Sequence, residues 1–322
     1  MTAPVLVRTP CRLHFGMFSF GRSGHAQFGG LGAMVEPPCV EVEVAPASRF
    51  GVTGVLGDRV LKIAELLVGR WGLPALPECE VNVRAPRDHT GLGVGTQLHL
   101  ATAAALRRFL RLPEVTIEEL ARMAGRGTRS AVGTYGFQQG GLIVDGGKSP
   151  DASLGNLVKR VALPDEWRFV LFCDPNERGL AGPNEVQAFD RLPEVPESVT
   201  ERLWSLTDDQ ILPAVEQGDC GAFGSAIYEF GRTAGECFAT VQSGPFATEQ
   251  TARLVALIRE FGVPGAGQSS WGPTVFAVAA NDEEASYLIG ELQDRQADVR
   301  YEIVVARPNN CGATIEERSG SG

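Results

Sequence analysis

The fold class is decided by the stretch PRDHTGLGVGTQ, residues 86–97, which joins an alternating strand to a long helix. Apolar residues recur at helical spacing over residues 98–112, directly after this stretch. Gly91, Gly93 and Gly95 stand at alternate positions, where glycine lets the backbone approach an anion closely. A following helix presents free N–H groups and the positive end of its dipole to that anion. The stretch therefore predicts a phosphate-binding loop, with a plain tight turn as the alternative.

The rest of the chain predicts an α+β protein. Alternating or apolar runs predict strands over residues 5–8, 40–44, 80–85, 141–145, 169–173, 275–279 and 299–306. Helical periodicity predicts helices over residues 60–71, 98–112, 116–124, 199–216, 222–240, 248–261 and 282–295. Thr116 and Glu119 fit a capping box at the start of the third of these helices. A linker-like segment rich in Gly, Ser, Asp and Pro near residues 146–165 predicts two domains, residues 1–160 and 161–322. The last helix–turn–strand–helix–strand series is typical of a split βαβ fold.

Composition excludes several classes of protein. The 322 residues carry a formal net charge of −10, which makes the chain a poor general binder of nucleic acid or anionic membrane. The 7 cysteines form no CxxC pair, so we expect reduced thiols and a cytoplasmic protein. No apolar run reaches the ~18 residues of a membrane helix, and no signal-peptide pattern is present. The Ser/Gly-rich tail, residues 318–322, is expected to fray.

Four further segments carry residues suited to chemistry. Residues 125–141 place two arginines among small residues, which suits anion contacts, with a surface turn carrying two solvated arginines as an equal alternative. Residues 265–274 join a helix to a strand through a glycine-rich turn with two hydroxyls, an amide and an indole, or simply with a packed Trp. Residues 10–16 follow the first strand and put Arg12 and His14 on one face. Residues 174–185 are a polar loop, for which a solvated linker is slightly favoured.

In order and content, these segments resemble the GHMP small-molecule kinase superfamily. The resemblance covers nearly the whole chain and implies an N-terminal domain like ribosomal protein S5 domain 2, with a left-handed βαβ unit, and a ferredoxin-like C-terminal domain. Two departures weaken a kinase interpretation. The superfamily's Ser-Ser pair after Gly-Leu-Gly is Val94-Gly95 here, and the Asp proposed as its catalytic base is replaced by Gly133. Glycine cannot accept a proton from a substrate hydroxyl.

The segments GLGVGTQL (residues 91–98), RGTRSAVGTYGF (126–137) and GQSSWGPT (267–274) more closely resemble one branch of that superfamily, the β-ribofuranosylaminobenzene 5′-phosphate synthase family. The resemblance implies condensation of phosphoribosyl pyrophosphate with 4-aminobenzoate or 4-hydroxybenzoate, releasing CO2 and pyrophosphate, in tetrahydromethanopterin biosynthesis. It implies a divalent ion such as Mg2+, no organic cofactor and a homodimer. Decarboxylation restores the aromatic ring, so the lost base is no obstacle; anion binding and orientation are the main tasks.

Site residues follow from the motifs and the resemblance together. The residues expected to be catalytic are Arg12, His14, Asp88 and Arg129. The residues expected to bind substrate or phosphate are Gly91, Gly93, Gly95, Thr96, Gln97, Arg126, Ser130, Thr134, Gln268, Ser269, Ser270 and Trp271. Among them, Arg12 is a candidate partner for the benzoate carboxylate, and Trp271 is a candidate stacking face. Two alternatives stay open: an ATP-dependent kinase in which Asp88, Asp145 or Asp174 replaces the base, and a non-catalytic metabolite-binding protein.

Overall fold

The computed structural model describes residues 3–21, 24–179, 182–295 and 301–318, without the side chains of residues 183 and 184. The strands are β1 (Val5–Met17), β2 (Gly30–Pro46), β3 (Gly51–Gly54), β4 (Cys79–Arg84), β5 (Leu142–Asp145), β6 (Leu157–Val161), β7 (Arg168–Cys173), β8 (Gly265–Gln268), β9 (Val275–Ala279), β10 (Glu302–Pro308) and β11 (Thr314–Glu317). The helices are α1 (Gly57–Trp71), α2 (Val94–Phe109), α3 (Ile117–Met123), α4 (Val132–Gln139), α5 (Gly182–Arg191), α6 (Glu197–Leu206), α7 (Leu212–Gln217), α8 (Cys220–Glu236), α9 (Glu249–Glu260) and α10 (Asp282–Arg295).

The N-terminal half is built on the long antiparallel pair β1 and β2, with β4 and β5 both pairing with β2. β3 and β4 are parallel and joined by α1, which makes a βαβ unit. The apolar side chains of α1, α2 and α4 pack in one core with those of the strands, because each helix places its apolar stripe against the sheet. The predicted capping box of α3 is confirmed: Thr116 accepts from the Glu119 N–H, and the Glu119 carboxylate accepts from the Thr116 N–H.

The C-terminal half contains the strand order β10-β7-β9-β8, with every neighbouring pair antiparallel. In chain order these are strands 4-1-3-2, the ferredoxin-like arrangement, and α9 and α10 share a second apolar core with them. The two halves share one continuous sheet, because β10 also pairs with β2 through Arg307 and Glu36. The fold is thus the α+β fold that the sequence predicts. The domain boundary between residues 160 and 161 stays a prediction.

Several local predictions were wrong. Residues 10–16 do not follow the first strand but continue it, since β1 extends to Met17. The glycine-rich segment of residues 265–274 begins as strand β8, so the turn is shorter than predicted. The helix predicted over residues 199–216 is divided by a π-helical turn, Thr207–Ile211, between α6 and α7. Residues 125–141 contain a buried helix, α4, which was not predicted, so the alternative of a plain surface turn does not describe the whole segment.

Other segments lie partly outside the described residues. The polar loop predicted over residues 174–185 ends in helix α5, and residues 180–181 are outside the described part. The predicted start of the last strand, at residues 299–300, and all of the predicted tail beyond Arg318 are outside it as well. Among the helices that the structure describes, none is long and apolar enough to cross a membrane.

Candidate active site

The predicted phosphate loop lies between β4 and α2, and hydrogen bonds to Gly91 and Leu92 hold it to two other segments. The Arg12 N–H donates to the Leu92 carbonyl oxygen at 2.9 Å, which ties the loop to β1. The Ser269 hydroxyl donates to the Gly91 carbonyl oxygen at 2.8 Å, which ties it to the turn after β8. Glycine is required at position 91, because the residue has a φ of +90° and a Cβ there would collide with the Ser269 carbonyl oxygen.

Helix α2 begins at Val94 with an N-terminus suited to an anion. Gly93 is its N-cap in the left-handed region, with a φ of +70°, and within the described residues no side chain caps the helix. The first turn is uncharged, so the partial positive charge of the helix end is not neutralised by a neighbouring carboxylate. An anion above this loop would receive backbone N–H donors and a favourable dipole.

The loop forms one wall of a cavity of about 560 Å³, which we call the arginine cleft. Its charged lining residues are Arg12, Arg59, Asp88, Arg126, Arg129 and Glu185, and His14 and His89 add two imidazoles. Four arginines against two carboxylates leave a formal charge of +2 in a protein whose net charge is −10. Asp88 pairs with Arg59, and Glu185 pairs with Arg129. The cleft therefore attracts a polyanion despite the acidity of the whole chain.

The other two arginines, Arg12 and Arg126, pair with no carboxylate in the part of the chain that the structure describes. Arg126 donates to the Thr96 hydroxyl at 2.8 Å. The Nε of Arg12 is buried without a hydrogen-bond partner among the described residues. Burial, followed by repulsion from a neighbouring arginine, lowers the pKa of each guanidinium to about 10. Two partly desolvated cations without counter-ions indicate a site that is completed by an anionic ligand.

A second, smaller cavity of about 60 Å³, the aromatic pocket, adjoins the arginine cleft. Its walls are largely apolar and include Phe238, Phe246, Trp271 and Phe276. Trp271 packs edge-to-face against Phe238, with ring centroids 4.8 Å apart, which fixes the indole at the pocket wall. Three lining residues, His14, Met17 and Ser270, belong to both cavities. A ligand can therefore place charge in the cleft and an aromatic ring in the pocket.

His14 stands on β1 between the two cavities and is neutral. Burial, and secondarily the neighbouring Arg12 cation, hold the pKa of its imidazole well below the usual value. Its Nε2 lies 3.2 Å from the Ser130 hydroxyl oxygen, and that hydroxyl lies 3.3 Å from the Asp145 carboxylate. A neutral imidazole between an anion site and an apolar pocket can accept or donate one proton there.

Most of the predicted site residues meet in these cavities. The arginine cleft is lined by Arg12, His14, Asp88, Gly91, Gly93, Gly95, Thr96, Arg126, Arg129, Ser130 and Ser270. Gln268 and Trp271 line the aromatic pocket together with His14 and Ser270. All four residues predicted to be catalytic are thus within one cleft, although their roles stay predictions.

Three predicted ligand contacts are corrected by the structure. Gln97 is fully buried behind the loop, where it accepts from the Thr9 hydroxyl at 2.6 Å and donates to the Gly133 carbonyl oxygen at 2.8 Å. Thr134 is buried within α4 and lines neither cavity. Ser269 is buried and bonded to the phosphate loop and to the His14 N–H at 3.0 Å. The polar atoms of Gln97 and Ser269 therefore hold the loop and strands together rather than facing a ligand, whereas the Thr134 hydroxyl is buried without a hydrogen-bond partner among the described residues.

Sequence reasoning missed Arg59 and did not single out Glu185. Arg59 is the third residue of α1, where one arginine on a helix surface gives no signal of its own. Glu185 belongs to the polar loop that was identified, but its pairing with Arg129 depends on how α5 packs. Of the three carboxylates offered as a substitute kinase base, only Asp88 lines the cleft, and it is paired with Arg59. Asp145 is fully buried, and Asp174 accepts the Asn176 N–H within its own loop.

Comparison with known proteins identifies the class of protein that has this fold. Residues 211–297 match the family described as "GHMP kinases C terminal". Solved structures with the same fold include a homoserine kinase from Cytophaga hutchinsonii, with a TM-score of 0.69 and 16% identity over 98% of both chains. Another is a mevalonate diphosphate decarboxylase from Staphylococcus aureus, with a TM-score of 0.67 and 15% identity over 98% of this chain and 99% of that chain. The chain therefore has the GHMP kinase fold.

Two curated relatives narrow the class further. Both are named β-ribofuranosylphenol 5′-phosphate synthase. The protein of Archaeoglobus fulgidus is 30% identical over 96% of this chain and 99% of its own length. The protein of Methanothermobacter thermautotrophicus is 28% identical over 97% of this chain and 99% of its own length. The chain belongs to this synthase family, an enzyme branch of the GHMP fold, which confirms the resemblance seen in its glycine-rich segments.

Proposed function

We propose that this enzyme condenses phosphoribosyl pyrophosphate with 4-hydroxybenzoate or 4-aminobenzoate, releasing pyrophosphate and CO2 and forming a C-riboside for tetrahydromethanopterin biosynthesis. The observation that carries the proposal is the junction of the arginine cleft with the aromatic pocket at His14, Met17 and Ser270. One substrate is a polyanionic sugar, the other is a small aromatic acid, and the two must meet. The cleft suits the first substrate and the pocket suits the second.

The cleft has the residues to bind the diphosphate and to stabilise it as it leaves. Negative charge grows on the pyrophosphate oxygens as the bond to ribose C1 breaks, and preorganised donors stabilise charge that develops in the transition state. The N-terminus of α2 supplies backbone N–H donors. Arg12 and Arg126 supply cations that pair with no carboxylate in the described part of the chain. Such groups need little reorganisation when the anion arrives.

The pocket orients the acceptor ring. A cavity that holds a whole benzene ring has a volume of about 150 Å³, so a pocket of about 60 Å³ admits only part of the ring. The remainder then extends toward the cleft, where the carbon that bears the carboxylate meets ribose C1. Trp271 and Phe238 provide apolar surface for the ring, and Arg12 provides a partner for its carboxylate on the cleft side. Alignment of this kind contributes directly to the rate.

Mg2+ is part of the proposal. Among the described residues there is no group of three or more His, Cys, Asp or Glu side chains that could hold a metal ion by themselves. Mg2+ commonly binds through one or two carboxylates together with substrate phosphates. Asp88 and Glu185 line the cleft and fit that donor set, so they would hold the ion through carboxylate oxygens while their arginine partners, Arg59 and Arg129, remain beside them. When bound, the ion would neutralise charge on the departing pyrophosphate. The family resemblance further supports a homodimer, which stays a prediction.

The choice of acceptor is a separate part of the proposal. The names of the relatives specify a phenol product, which favours 4-hydroxybenzoate for this enzyme also. Both para substituents donate electrons to the ring and carry a hydrogen-bond donor, so 4-aminobenzoate fits the same pocket. The kinase alternative is not favoured: position 133 is glycine, and the one cleft carboxylate among the proposed substitutes, Asp88, is paired with Arg59.

One assay tests the function. Purified protein, Mg2+ and phosphoribosyl pyrophosphate are incubated with carboxyl-labelled 4-hydroxybenzoate or 4-aminobenzoate, and labelled CO2 is counted. We expect release that depends on phosphoribosyl pyrophosphate, is strongly reduced in Arg12→Met, and is unchanged in Arg253→Met, an exposed arginine on α9. ATP consumption with a panel of hydroxylated metabolites, without any release of CO2, would overturn the proposal in favour of a kinase.

A further inference from the structure

Three side chains form a hydrogen-bonded chain that runs from the interior of the protein to the junction of the two cavities. Asp145 lies at the end of β5, Ser130 lies just before α4, and His14 lies in β1. The Ser130 oxygen is 3.3 Å from Asp145 Oδ2 and 3.2 Å from His14 Nε2. The sequence predicted His14 as catalytic and Ser130 as a ligand contact, and it offered Asp145 only as a substitute kinase base.

Asp145, at the inner end of these hydrogen bonds, is held in place by its own contacts. The Ala131 N–H donates to Asp145 Oδ2 at 2.5 Å, and the Gly147 N–H donates to Asp145 Oδ1 at 2.9 Å. A Cβ at Gly155 would collide with Asp145 Oδ1, so glycine there leaves space for the carboxylate. Asp145 is therefore fixed as an acceptor and cannot turn toward the cleft.

The outer end of the chain is shaped around the imidazole. Gly30 of β2 lies beside the ring, and a Cβ at that position would stand 2.9 Å from His14 Nε2. The ring therefore occupies space that any other residue at position 30 would fill. Two cavity-lining charges face this region, Arg12 beside the ring in the cleft and Arg232 across the aromatic pocket. Arg232 is paired with Glu229, so Arg12 is the neighbouring cation that adds to burial in lowering the pKa of the imidazole.

The donors and acceptors of Ser130 determine which imidazole nitrogen carries the proton. A serine hydroxyl has one hydrogen to donate and two lone pairs that accept. Burial raises the pKa of Asp145 to about 6, so its carboxylate is still ionised at neutral pH and only accepts. The Ser130 hydrogen therefore points at Asp145, and the Val132 N–H donates to one Ser130 lone pair at 3.3 Å. Because the hydroxyl hydrogen is directed at Asp145, the 3.2 Å contact between Ser130 and His14 Nε2 is a hydrogen bond only when Nε2 carries the proton and donates it.

This assignment leaves Nδ1 of His14 as the unprotonated nitrogen. Ser130 lines the arginine cleft but not the aromatic pocket, whereas His14 lines both. Nε2 is therefore hydrogen-bonded to Ser130 on the cleft side. Nδ1 is the nitrogen that is available to a group in the aromatic pocket. That pocket is where the proposed function places the acceptor ring.

We propose that Asp145 and Ser130 are positioning residues that hold His14 as its Nε2–H tautomer, so that Nδ1 takes the proton from the para hydroxyl or amino group of the acceptor. This inference rests on the proposed function. As the ring carbon bonds to ribose C1, the C1–O bond breaks and its electron pair leaves with pyrophosphate. The para O–H or N–H becomes strongly acidic and its proton moves to Nδ1. When the bond to the carboxylate breaks, its electron pair restores the aromatic ring, CO2 leaves and Nδ1 returns the proton.

The tautomer is tested without reference to activity. Long-range proton–nitrogen NMR of the 15N-histidine-labelled protein distinguishes the two tautomers, and the His14→Gln spectrum assigns the signal among the 4 histidines. We expect the Nε2–H form in the wild-type protein, a mixture of tautomers in Ser130→Ala, and the wild-type form in Ser130→Thr, which keeps the hydroxyl. A wild-type Nδ1–H form would overturn the inference.

The role of the hydrogen bonds from Asp145 through Ser130 to His14 is tested by steady-state kinetics of CO2 release. We expect Ser130→Ala to lower kcat about tenfold or more, as for other losses in acid–base groups, with little change in KM for phosphoribosyl pyrophosphate. Ser130→Thr should recover most of kcat. Ser225→Ala on the exposed face of α8 is the matched control and should match wild type.

The outcomes separate the two proposals. An unchanged kcat in Ser130→Ala, with normal CO2 release by wild type, would overturn the positioning role and leave the proposed function standing. A rise in KM alone would assign Ser130 to phosphate binding instead. No CO2 release by wild type would overturn the proposed function and with it the proton transfer, whatever the tautomer. Asp145→Asn should show the same kcat loss, and its thermal midpoint shows whether the variant folds.

Discussion

Replacing Arg126 by methionine should weaken substrate binding without weakening the fold. Arg126 reaches the Thr96 hydroxyl at the start of α2 and shares the cleft with three other arginines. In the free protein its charge has no carboxylate partner among the described residues, and burial lowers its pKa to about 10. Methionine keeps the apolar stem of the side chain and its packing, and it removes the guanidinium group with its charge and donors.

The magnitude follows from the pKa. A fall from 12.5 to about 10 corresponds to at most about 3 kcal/mol of destabilisation of the charged form in the unliganded cleft. Removal of the charge therefore leaves the thermal midpoint equal to that of wild type or raises it by roughly 2–4 °C for each kcal/mol regained. In the complex, a charged hydrogen bond to the diphosphate contributes about 1.5–3 kcal/mol. Its loss reduces affinity about ten- to a hundredfold.

The assay is calorimetric titration of phosphoribosyl pyrophosphate, with a thermal scan of each free protein. Arg253→Met on α9 is the control, since that arginine is exposed and pairs only with Glu249 in the same helix. Affinity within twofold of wild type, or a lower thermal midpoint with unchanged affinity, would refute the reasoning. The first result would mean that Arg126 does not bind the anion, and the second would mean in addition that it stabilises the fold.

Three further changes probe the same site. Gly95→Ala puts a methyl group against the Arg59 guanidinium, so calorimetry should show weaker pyrophosphate binding. Because alanine is favoured at this helical position, thermal scans should show no loss of stability. Gly133→Asp brings a carboxylate beside Arg12, so it should lower affinity for phosphoribosyl pyrophosphate and give no ADP release with ATP, whereas Gly133→Ala should bind nearly normally. Asp145 has a pKa raised by burial to about 6, so the folded state binds its proton more tightly than the unfolded state does. Its contribution to stability therefore rises as pH falls from 7 to 5, and urea denaturation should show wild type gaining about 1 kcal/mol over Asp145→Asn.

Much of the fold could be predicted because its determinants are local. The capping box of α3 and the glycine-rich segment before α2 each depend on a few contiguous residues, and the structure has both. Helix α4 was missed because Gly133 and Gly136 have low helix propensity, which normally argues against a helix. Packing explains them: a Cβ on Gly136 would collide with the Met34 sulfur on β2, so close contact with the sheet requires glycine there.

The site was only partly predictable, since its electrostatics depend on contacts between distant segments. Arg126 and Arg129 lie together in sequence, and the sequence gives them the same expected role. The structure separates them: Arg129 is paired with Glu185 and stacks over the Phe189 ring of α5 at 4.8 Å, while Arg126 has neither kind of partner among the residues that the structure describes. Which arginine is neutralised is a property of how α5 packs, and no local pattern contains that information.

The absence of a base at position 133 and the absence of a partner for Arg12 are two aspects of one arrangement. A Cβ at Gly133 would stand 3.5 Å from the Arg12 Cδ, so an aspartate there would lie beside the guanidinium whose Nε is now unpaired. With glycine, that counter-ion must come from the ligand. A kinase needs a carboxylate near its substrate hydroxyl, whereas a transferase that expels pyrophosphate benefits from a cation left free to meet it. The loss of one side chain therefore both removes phosphoryl-transfer chemistry and strengthens the binding of a leaving anion, which explains how this scaffold suits a reaction that kinases of the same fold do not perform.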